Sequence, residues 1–130
     1  MRYLVPLARA LYSITFLTAP QVHFSARGIA YATQRGVPIP AVLVPLAGVI
    51  AFAGGASVLL GYHAKIGGWL LVLFLVPVTL VMHGFWGAAD PMAQVQRAFF
   101  FKNLAMLGTA LLIAHFGAGP LSLDARVGRA

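Results

Sequence analysis

The chain has 130 residues, of which 61% are hydrophobic and only 8% are charged, against about 25% charged residues in soluble domains. This composition is typical of an integral membrane protein. The net charge of +7 comes from basic residues that lie singly at the ends of apolar runs, so we expect these cations to face anionic lipid, and no nucleic-acid partner is expected.

Four apolar runs approach the roughly 20 residues that a helix needs to cross a bilayer. They occupy about residues 3–20, 41–60, 66–83 and 91–117. Backbone groups cannot pair with water inside lipid, and no alternating pattern typical of a membrane barrel occurs, so each run is predicted to be a helix. We therefore expect an all-α fold: a four-transmembrane-helix bundle with a short interfacial helix in the first loop, forming a single membrane domain over residues 1–130.

The first run begins like a signal peptide, but Arg9 interrupts it and Pro20 follows the one plausible cleavage residue. We therefore expect this helix to be retained. Arg9 is predicted to be an anchor whose long side chain extends back to the membrane surface. In the loop that follows, about residues 26–33 are predicted to form a short helix lying in the interface.

Small residues repeat every four positions on the second helix, at Ala47, Ala51 and Gly55. This spacing predicts a helix-packing face on which a neighbouring backbone can come close. Pro77 lies inside the third helix and is predicted to kink it. The pair Asp90–Pro91 combines an N-cap acid with a proline at the first helical position, which predicts that the fourth helix starts near Pro91.

The basic residues also give a predicted orientation. With four spans, the two termini and the second loop share one side, which carries five basic residues, and the opposite side carries four. Because cytoplasmic loops are enriched in lysine and arginine, we expect both termini in the cytoplasm. The predicted location is a membrane, of the bacterial cytoplasmic (inner) type.

Lys102 and Asn103 stand side by side in an otherwise apolar stretch, where an ionisable residue suggests function. An alternative for Lys102 is an interfacial anchor, because its chain can extend along its own helix to nearby water. Asn103 is too short for that and needs a partner. We predict a ligand-binding layer near the non-cytoplasmic surface, in which Lys102 and Asp90 can pair. Its members are His23, His83, Trp86, Asp90, Lys102 and Asn103.

Several kinds of chemistry are disfavoured by residue counts. The chain has no cysteine and only two acids, Asp90 and Asp124, predicted on opposite faces. Disulfides, thiolate ligands and two-carboxylate hydrolysis are therefore excluded, and no metal site is expected. Two histidines per face would suit haem ligation, but no spacing brings a pair together, so haem is not expected. Catalytic residues stay unassigned, and no activity of the chain on its own is expected.

Three stretches resemble the DoxX family of small four-helix membrane proteins, which is named for a subunit linked to a thiosulfate:quinone oxidoreductase. They are AGVIAFAGGASVLLGYHAK, FLVPVTLVMHGFWGAADP and FFFKNLAMLGTALLIAHFGAGPLSLD. HGFW and KNLAMLG are the most specific parts. The resemblance implies a membrane protein associated with redox or stress functions, with quinone as the suggested cofactor.

The leading functional hypothesis is therefore a DoxX-like accessory subunit of a quinone-linked membrane redox system. In that hypothesis His83 and Lys102 hydrogen-bond a quinone carbonyl, and Trp86 and Phe85 flank the ring. The alternative, from another class, is a structural or assembly partner that packs against another membrane protein and has no redox role. A bilayer is expected in either case, and the Gly and Ala face suits a membrane-protein partner or a homo-oligomer.

Overall fold

The computed structural model describes residues 3–89 and 91–128, and within these ranges all regular structure is helical. The all-α prediction is confirmed. In chain order the elements are α1 (Leu4–Leu17), α2 (Ala19–His23), α3 (Ala26–Gln34), α4 (Pro40–Leu60), α5 (Ala64–Pro77) continued by a π-helical segment (Val78–Met82), α6 (Met92–Phe116) and α7 (Leu123–Arg126).

Within the described residues, three helical stretches are long and apolar enough to cross a membrane: Pro40–Leu60, Ala64–Met82 and Met92–Phe116. The predicted first span is instead divided into α1 and α2 at Thr18. The Thr18 hydroxyl donates to the carbonyls of Ile14 and Thr15, both at 3.1 Å. Pro20 has no N–H for the carbonyl of Phe16, so the regular ladder is interrupted here. The four-span arrangement is thus not confirmed.

The long helices run antiparallel. A tight turn joins α4 and α5, α5 packs between α4 and α6, and α1 packs on α4. We call the end with residues 61–63 and 117–128 the hairpin end, and the end with residues 18–39 and 83–89 the α3 end. Between them lies a core in which Phe16, Leu71 and Leu75 are almost completely buried. Each long helix therefore has one face in this core and one face toward lipid.

Small residues bring these helices close together. A Cβ added at Gly55 would lie 2.8 Å from the Phe16 Cβ of α1, and Ala51 on the same side of α4 is fully buried. Ala47, the third residue of the predicted packing face, is partly buried against the core. On the α5 side, a Cβ at Gly68 would lie 2.6 Å from the Ala114 nitrogen of α6. The small residues of α4 are therefore used for packing between helices of this chain.

At the hairpin end the prediction for Arg9 is wrong. Its side chain does not extend to the surface but is 6% exposed, and it donates to the carbonyls of Ala118 at 3.0 Å and Leu121 at 2.7 Å. The Asp124 carboxylate accepts from the backbone N–H groups of His63 and Ala64, both at 2.9 Å. These contacts hold the C-terminal segment against the α4–α5 turn and satisfy the first N–H groups of α5.

At the α3 end the helix starts agree closely with expectation. The Ser25 hydroxyl caps α3 by accepting from the Gly28 N–H at 3.0 Å, and α6 starts at Met92 with Pro91 at its N-cap position. Asp90, predicted to cap this helix, lies outside the described residues. At Pro77, where a kink was expected, the helix changes into the π segment Val78–Met82. Single π-helical turns of this kind commonly occur inside longer α-helices.

Candidate functional site

A chain of polar side chains links three elements at the α3 end. The amide nitrogen of Gln96 on α6 donates to the Tyr31 hydroxyl of α3 at 2.9 Å. Its amide oxygen then accepts from Nδ1–H of His83, which follows the π segment, at 3.0 Å. With this tautomer both polar groups of Gln96, which is only 6% exposed, are satisfied.

Two side chains at the same end donate hydrogen bonds to backbone carbonyls at the end of the π segment and just after it. Arg35, just after α3, donates through Nε to the Val81 carbonyl at 3.2 Å and through a terminal nitrogen to the Gly84 carbonyl at 2.9 Å. Tyr31 donates more weakly to the Met82 carbonyl at 3.4 Å. A helix end leaves such carbonyls without intrahelical partners. Tyr31 of α3 and Arg35 after it therefore supply the missing hydrogen-bond donors.

His83 and Lys102 meet on one aromatic ring. The imidazole stacks on Phe99 with ring centroids 5.3 Å apart, and the ammonium of Lys102 lies 4.9 Å from the centre of the same ring. Burial lowers the pKa of His83 from its ordinary value of 6.5; the hydrogen bond with Gln96 raises it in part, and the positive charges of Lys102 and Arg35 lower it further. The neutral imidazole is therefore favoured here.

The other predicted members of the layer are dispersed. Lys102 is exposed, whereas Asn103 is 3% exposed and its amide has no recorded hydrogen bond to the described residues. Trp86, 62% exposed, belongs to an aromatic cluster with Phe85 and Phe100. Since Asp90 lies outside the described residues, its pairing with Lys102 stays a prediction. Within the described residues, no group of three potential metal ligands occurs.

His23 lies apart from that layer, on the wall of an apolar cleft between α4 and α5. Its ring is 5.5 Å from that of Phe74, and its Nδ1 donates to the Ala19 carbonyl at 2.8 Å. Gly48 makes this position possible, because a Cβ there would be 2.5 Å from the His23 Cβ. The cleft has a volume of about 520 Å³.

The lining of the cleft comes from α3, the loop before α4, α4 itself and the α5–π stretch. Of the lining residues that the structure describes, His23 alone carries a side-chain nitrogen or oxygen; the others are Ala32, Gly36, Val37, Pro38, Leu43, Val44, Leu46, Ala47, Ile50, Leu73, Phe74, Pro77, Val78, Val81 and Met82. The cleft therefore fits hydrocarbon and offers very few polar contacts.

Sequence reasoning missed the network residues Tyr31, Arg35 and Gln96. A signal existed for Gln96, because it stands seven residues before Asn103 and thus on the same face of one helix. No comparable signal existed for the cleft. The cleft is formed jointly by α3, the loop before α4, α4 and the α5–π stretch, and the hydropathy of a single helix does not encode how these elements assemble.

Comparison with known proteins gives a consistent picture. The family model for the SURF4 family matches residues 40–128. The Escherichia coli inner membrane protein YqjF is 26% identical over 120 residues, which cover 92% of this chain and 88% of that protein. The E. coli inner membrane protein YphA is 24% identical over 98 residues, covering 75% and 70%. No solved structure matches the chain significantly.

A eukaryotic relative shares a shorter region. The Saccharomyces cerevisiae ER-derived vesicles protein ERV29 is 29% identical over 83 residues, which are 64% of this chain but only 25% of that protein. The two bacterial relatives, together with three helices able to span a membrane, confirm the predicted location in a membrane of the bacterial inner type. The chain is accordingly embedded in a lipid bilayer.

The resemblance to the DoxX family is wrong, and with it the function that it implied. The matching family model is that of the SURF4 family, and a Schizosaccharomyces pombe Surfeit locus protein 4 homologue is 28% identical over 103 residues, which are 78% of this chain and 33% of that protein. Nothing in these matches supports a quinone-linked redox subunit. The misleading signal was hydropathy together with glycine placement, which many small membrane bundles share because close helix packing requires both. Since the matching region covers 89 of the 130 residues (40 to 128), the chain belongs to the SURF4 family.

Proposed function

We propose that this protein binds the hydrocarbon chain of a membrane amphiphile in the cleft between α4 and α5. The observation that carries the proposal is the cleft itself: about 520 Å³, lined almost entirely by apolar side chains. This volume lies within the roughly 300–1,000 Å³ that ligand sites usually have. Apolar walls do not hold water well, so a hydrocarbon chain is the occupant that regains the dispersion contacts of the wall.

The opening of the cleft favours a ligand that arrives from the bilayer. Leu46 of α4 and Leu73 of α5 are among its lining residues, yet they are 49% and 59% exposed. In a membrane such exposed leucines on spanning helices contact acyl chains. A hydrocarbon chain can therefore pass from the lipid into the cleft without crossing a polar surface.

The elements around the cleft are held by contacts of the chain itself. At the hairpin end the tight turn keeps α4 and α5 together, and His23 lies against Gly48 on the wall of the cleft. Arg35 and Tyr31 hold α3 to the end of the π segment. These contacts keep the lining elements of the cleft in place.

The proposal is tested with a phosphatidylcholine that carries a diazirine in its acyl chain, in nanodiscs containing the purified protein. After illumination, peptide mass spectrometry is expected to find the cleft walls, residues 43–50 and 73–82, labelled well above other lipid-facing segments. Ala47→Phe fills the cleft and is expected to remove the excess labelling.

The control for this experiment is Ala105→Phe, the same change at an exposed position of α6 outside the cleft lining. It is expected to leave labelling of the cleft walls unchanged. Uniform labelling of all lipid-facing helices in the unmodified protein would overturn the proposal, as would cleft labelling that Ala47→Phe does not reduce.

We propose in addition that α1 and α2 together make the fourth span of a single membrane domain, with both termini cytoplasmic. Residues 4–23 reach about 30 Å at 1.5 Å per residue, which is the thickness of the hydrocarbon core. Binding of a membrane-protein partner or of a second copy stays a prediction; it would use the lipid-facing surfaces of the bundle, since the small residues of α4 are occupied within the chain.

A further inference from the structure

We infer that the amphiphile of the cleft carries a neutral hydroxyl group, which donates a hydrogen bond to Nε2 of His23. This inference rests on the proposed function, because it names the chemical class of the ligand at the same site. Three observations support it: the tautomer of His23, the loss of a backbone donor at Pro77, and a described lining without any acid that could pair with a charged ligand group.

The tautomer of His23 follows from its partner. Nδ1 lies 2.8 Å from the carbonyl oxygen of Ala19, and a carbonyl can only accept, so the proton is on Nδ1. In the neutral imidazole Nε2 then has a lone pair and no hydrogen. No hydrogen bond to Nε2 is recorded among the described residues, and His23 is part of the cleft lining. The side-chain polar atom offered to a ligand is thus an acceptor.

Pro77 removes a hydrogen-bond donor from the α5 backbone beside the cleft. Pro77 has no N–H, so the Leu73 carbonyl four residues earlier loses its usual helical partner. The next N–H, that of Val78, is directed to the carbonyls of Phe74 and Leu75. Both Leu73 and Pro77 line the cleft, which puts this weakened stretch of the ladder on its wall. The described lining therefore has one side-chain acceptor, Nε2 of His23, and no side chain in it offers a donor to a ligand.

Acceptors without donors select among ligands. An ester, ether or ketone oxygen can only accept, so burying it beside Nε2 leaves both groups unsatisfied, whereas a hydroxyl satisfies the acceptor. The lining excludes a charged donor: none of its described residues is an acid that could pair with an ammonium, and burying a cation among apolar side chains without a partner is costly. A long-chain alcohol meets both conditions.

The test compares binding of 1-hexadecanol, its methyl ether, hexadecane and palmitic acid to the purified protein in lipid nanodiscs, with each probe displacing the diazirine label from the cleft walls. One net hydrogen bond corresponds to a three- to tenfold preference for the alcohol over the ether. His23→Phe keeps the apolar wall and is expected to bind alcohol and ether equally well. Ala47→Phe is expected to weaken binding of every probe.

A spectroscopic measurement keeps the inference testable if His23→Phe fails to fold. In protein labelled with ¹⁵N-histidine, the unprotonated Nε2 resonance of His23 is expected to shift upfield when hexadecanol is added and to stay in place with the ether. Equal binding of alcohol, ether and hexadecane would overturn the inference and leave the proposed cleft site standing. Preferred binding of palmitic acid, with both ring nitrogens protonated, would also overturn it. If no probe displaces the label, the proposed function itself fails.

Discussion

Arg9 joins the first helix to the C-terminal segment through two backbone carbonyls, those of Ala118 and Leu121. Arg9→Met removes both donors, and the carbonyl of the buried Ala118 loses its side-chain partner. Hydrogen bonds to charged groups contribute about 1.5–3 kcal/mol each, so we expect the free energy of unfolding to fall by at least about 2 kcal/mol. Reversible unfolding in mixed micelles, followed by circular dichroism, measures this change.

The matched control is Arg126→Met, which removes an exposed cation at the same end of the bundle. Exposed charges contribute little to stability, so its free energy of unfolding is expected to stay within about 0.5 kcal/mol of the unmodified protein. Equal stability of the two variants would show that Arg9 is an anchor at the surface, as the sequence predicted.

His83 gives the α3 end a dependence on pH. Its pKa is lowered from 6.5, chiefly by burial, so below pH 6.5 the unfolded chain binds more protons at this site than the folded chain does. By linkage, the contribution of His83 to stability is fully present above pH 6.5 and falls as pH drops from 6.5 toward the lowered pKa. We expect the midpoint of unfolding to fall as the pH is lowered from 7 to 5.5.

The comparison variant is His83→Gln, which can still hydrogen-bond Gln96 but does not titrate. Its unfolding midpoint is expected to change less over the same pH range than that of the unmodified protein. A ¹⁵N titration of the imidazole gives the pKa directly, and a value above 6.5 would contradict the assigned environment of Lys102, Arg35 and Gln96.

The sequence indicated which residues of this region carry unusual chemistry but not how they are grouped. Lys102 and His83 both contact the ring of Phe99, while His23 lies in the apolar cleft beside Phe74. Helical periodicity assigns a residue to a face and a depth. It does not determine which neighbouring helix covers that face, because this depends on loop geometry and on side-chain volume across the whole bundle.

Among the elements, the contact of α1 with α4 depends on Gly55. A Cβ added there would lie 2.8 Å from the Phe16 Cβ and 3.4 Å from the Ser13 carbonyl oxygen, so α1 must move to accept Gly55→Ala. Overpacking of this kind costs roughly 1–3 kcal/mol. We expect the free energy of unfolding to decrease by that amount in the same micelle assay.

Gly108 on α6 offers the control, because a Cβ added there meets no atom within 4 Å. Gly108→Ala is expected to be neutral or to stabilise by up to about 1 kcal/mol, since alanine favours a helix more than glycine does. If both substitutions had the same effect, the close approach of α1 to α4 at Gly55 would be refuted.

Element boundaries were predictable where a local rule decided them. The helix expected over about residues 26–33 is Ala26–Gln34, and α6, expected to start near Pro91, starts at Met92. The division of the first run at Thr18 and the π segment after Pro77 were not predicted. Both are responses of the backbone to a proline, and whether a helix breaks, bends or widens there depends on the side chains packed against it.

At the scale of the molecule, composition was sufficient to predict a membrane protein with an all-helical fold, because lipid allows a chain of this pattern few alternatives. The family was not predictable in this way, and the DoxX resemblance was wrong. Hydropathy and glycine spacing reflect constraints that lipid and helix packing impose on small bundles in general. Family membership depends on residue identities aligned over residues 40–128.

The direction of each span can be tested with single cysteines, since the chain has none of its own. In the proposed arrangement, exposed Leu4 and Tyr62 lie on the cytoplasmic side and exposed Thr33 lies on the opposite side. In intact cells a membrane-impermeant maleimide is expected to label Thr33→Cys, and to label Leu4→Cys and Tyr62→Cys only after the membrane is permeabilised.

Labelling of Leu4→Cys together with Thr33→Cys would mean that α1 and α2 do not cross the membrane. The reverse pattern at all three positions would keep four spans and invert the orientation, which the positive-inside rule supports by only one basic residue.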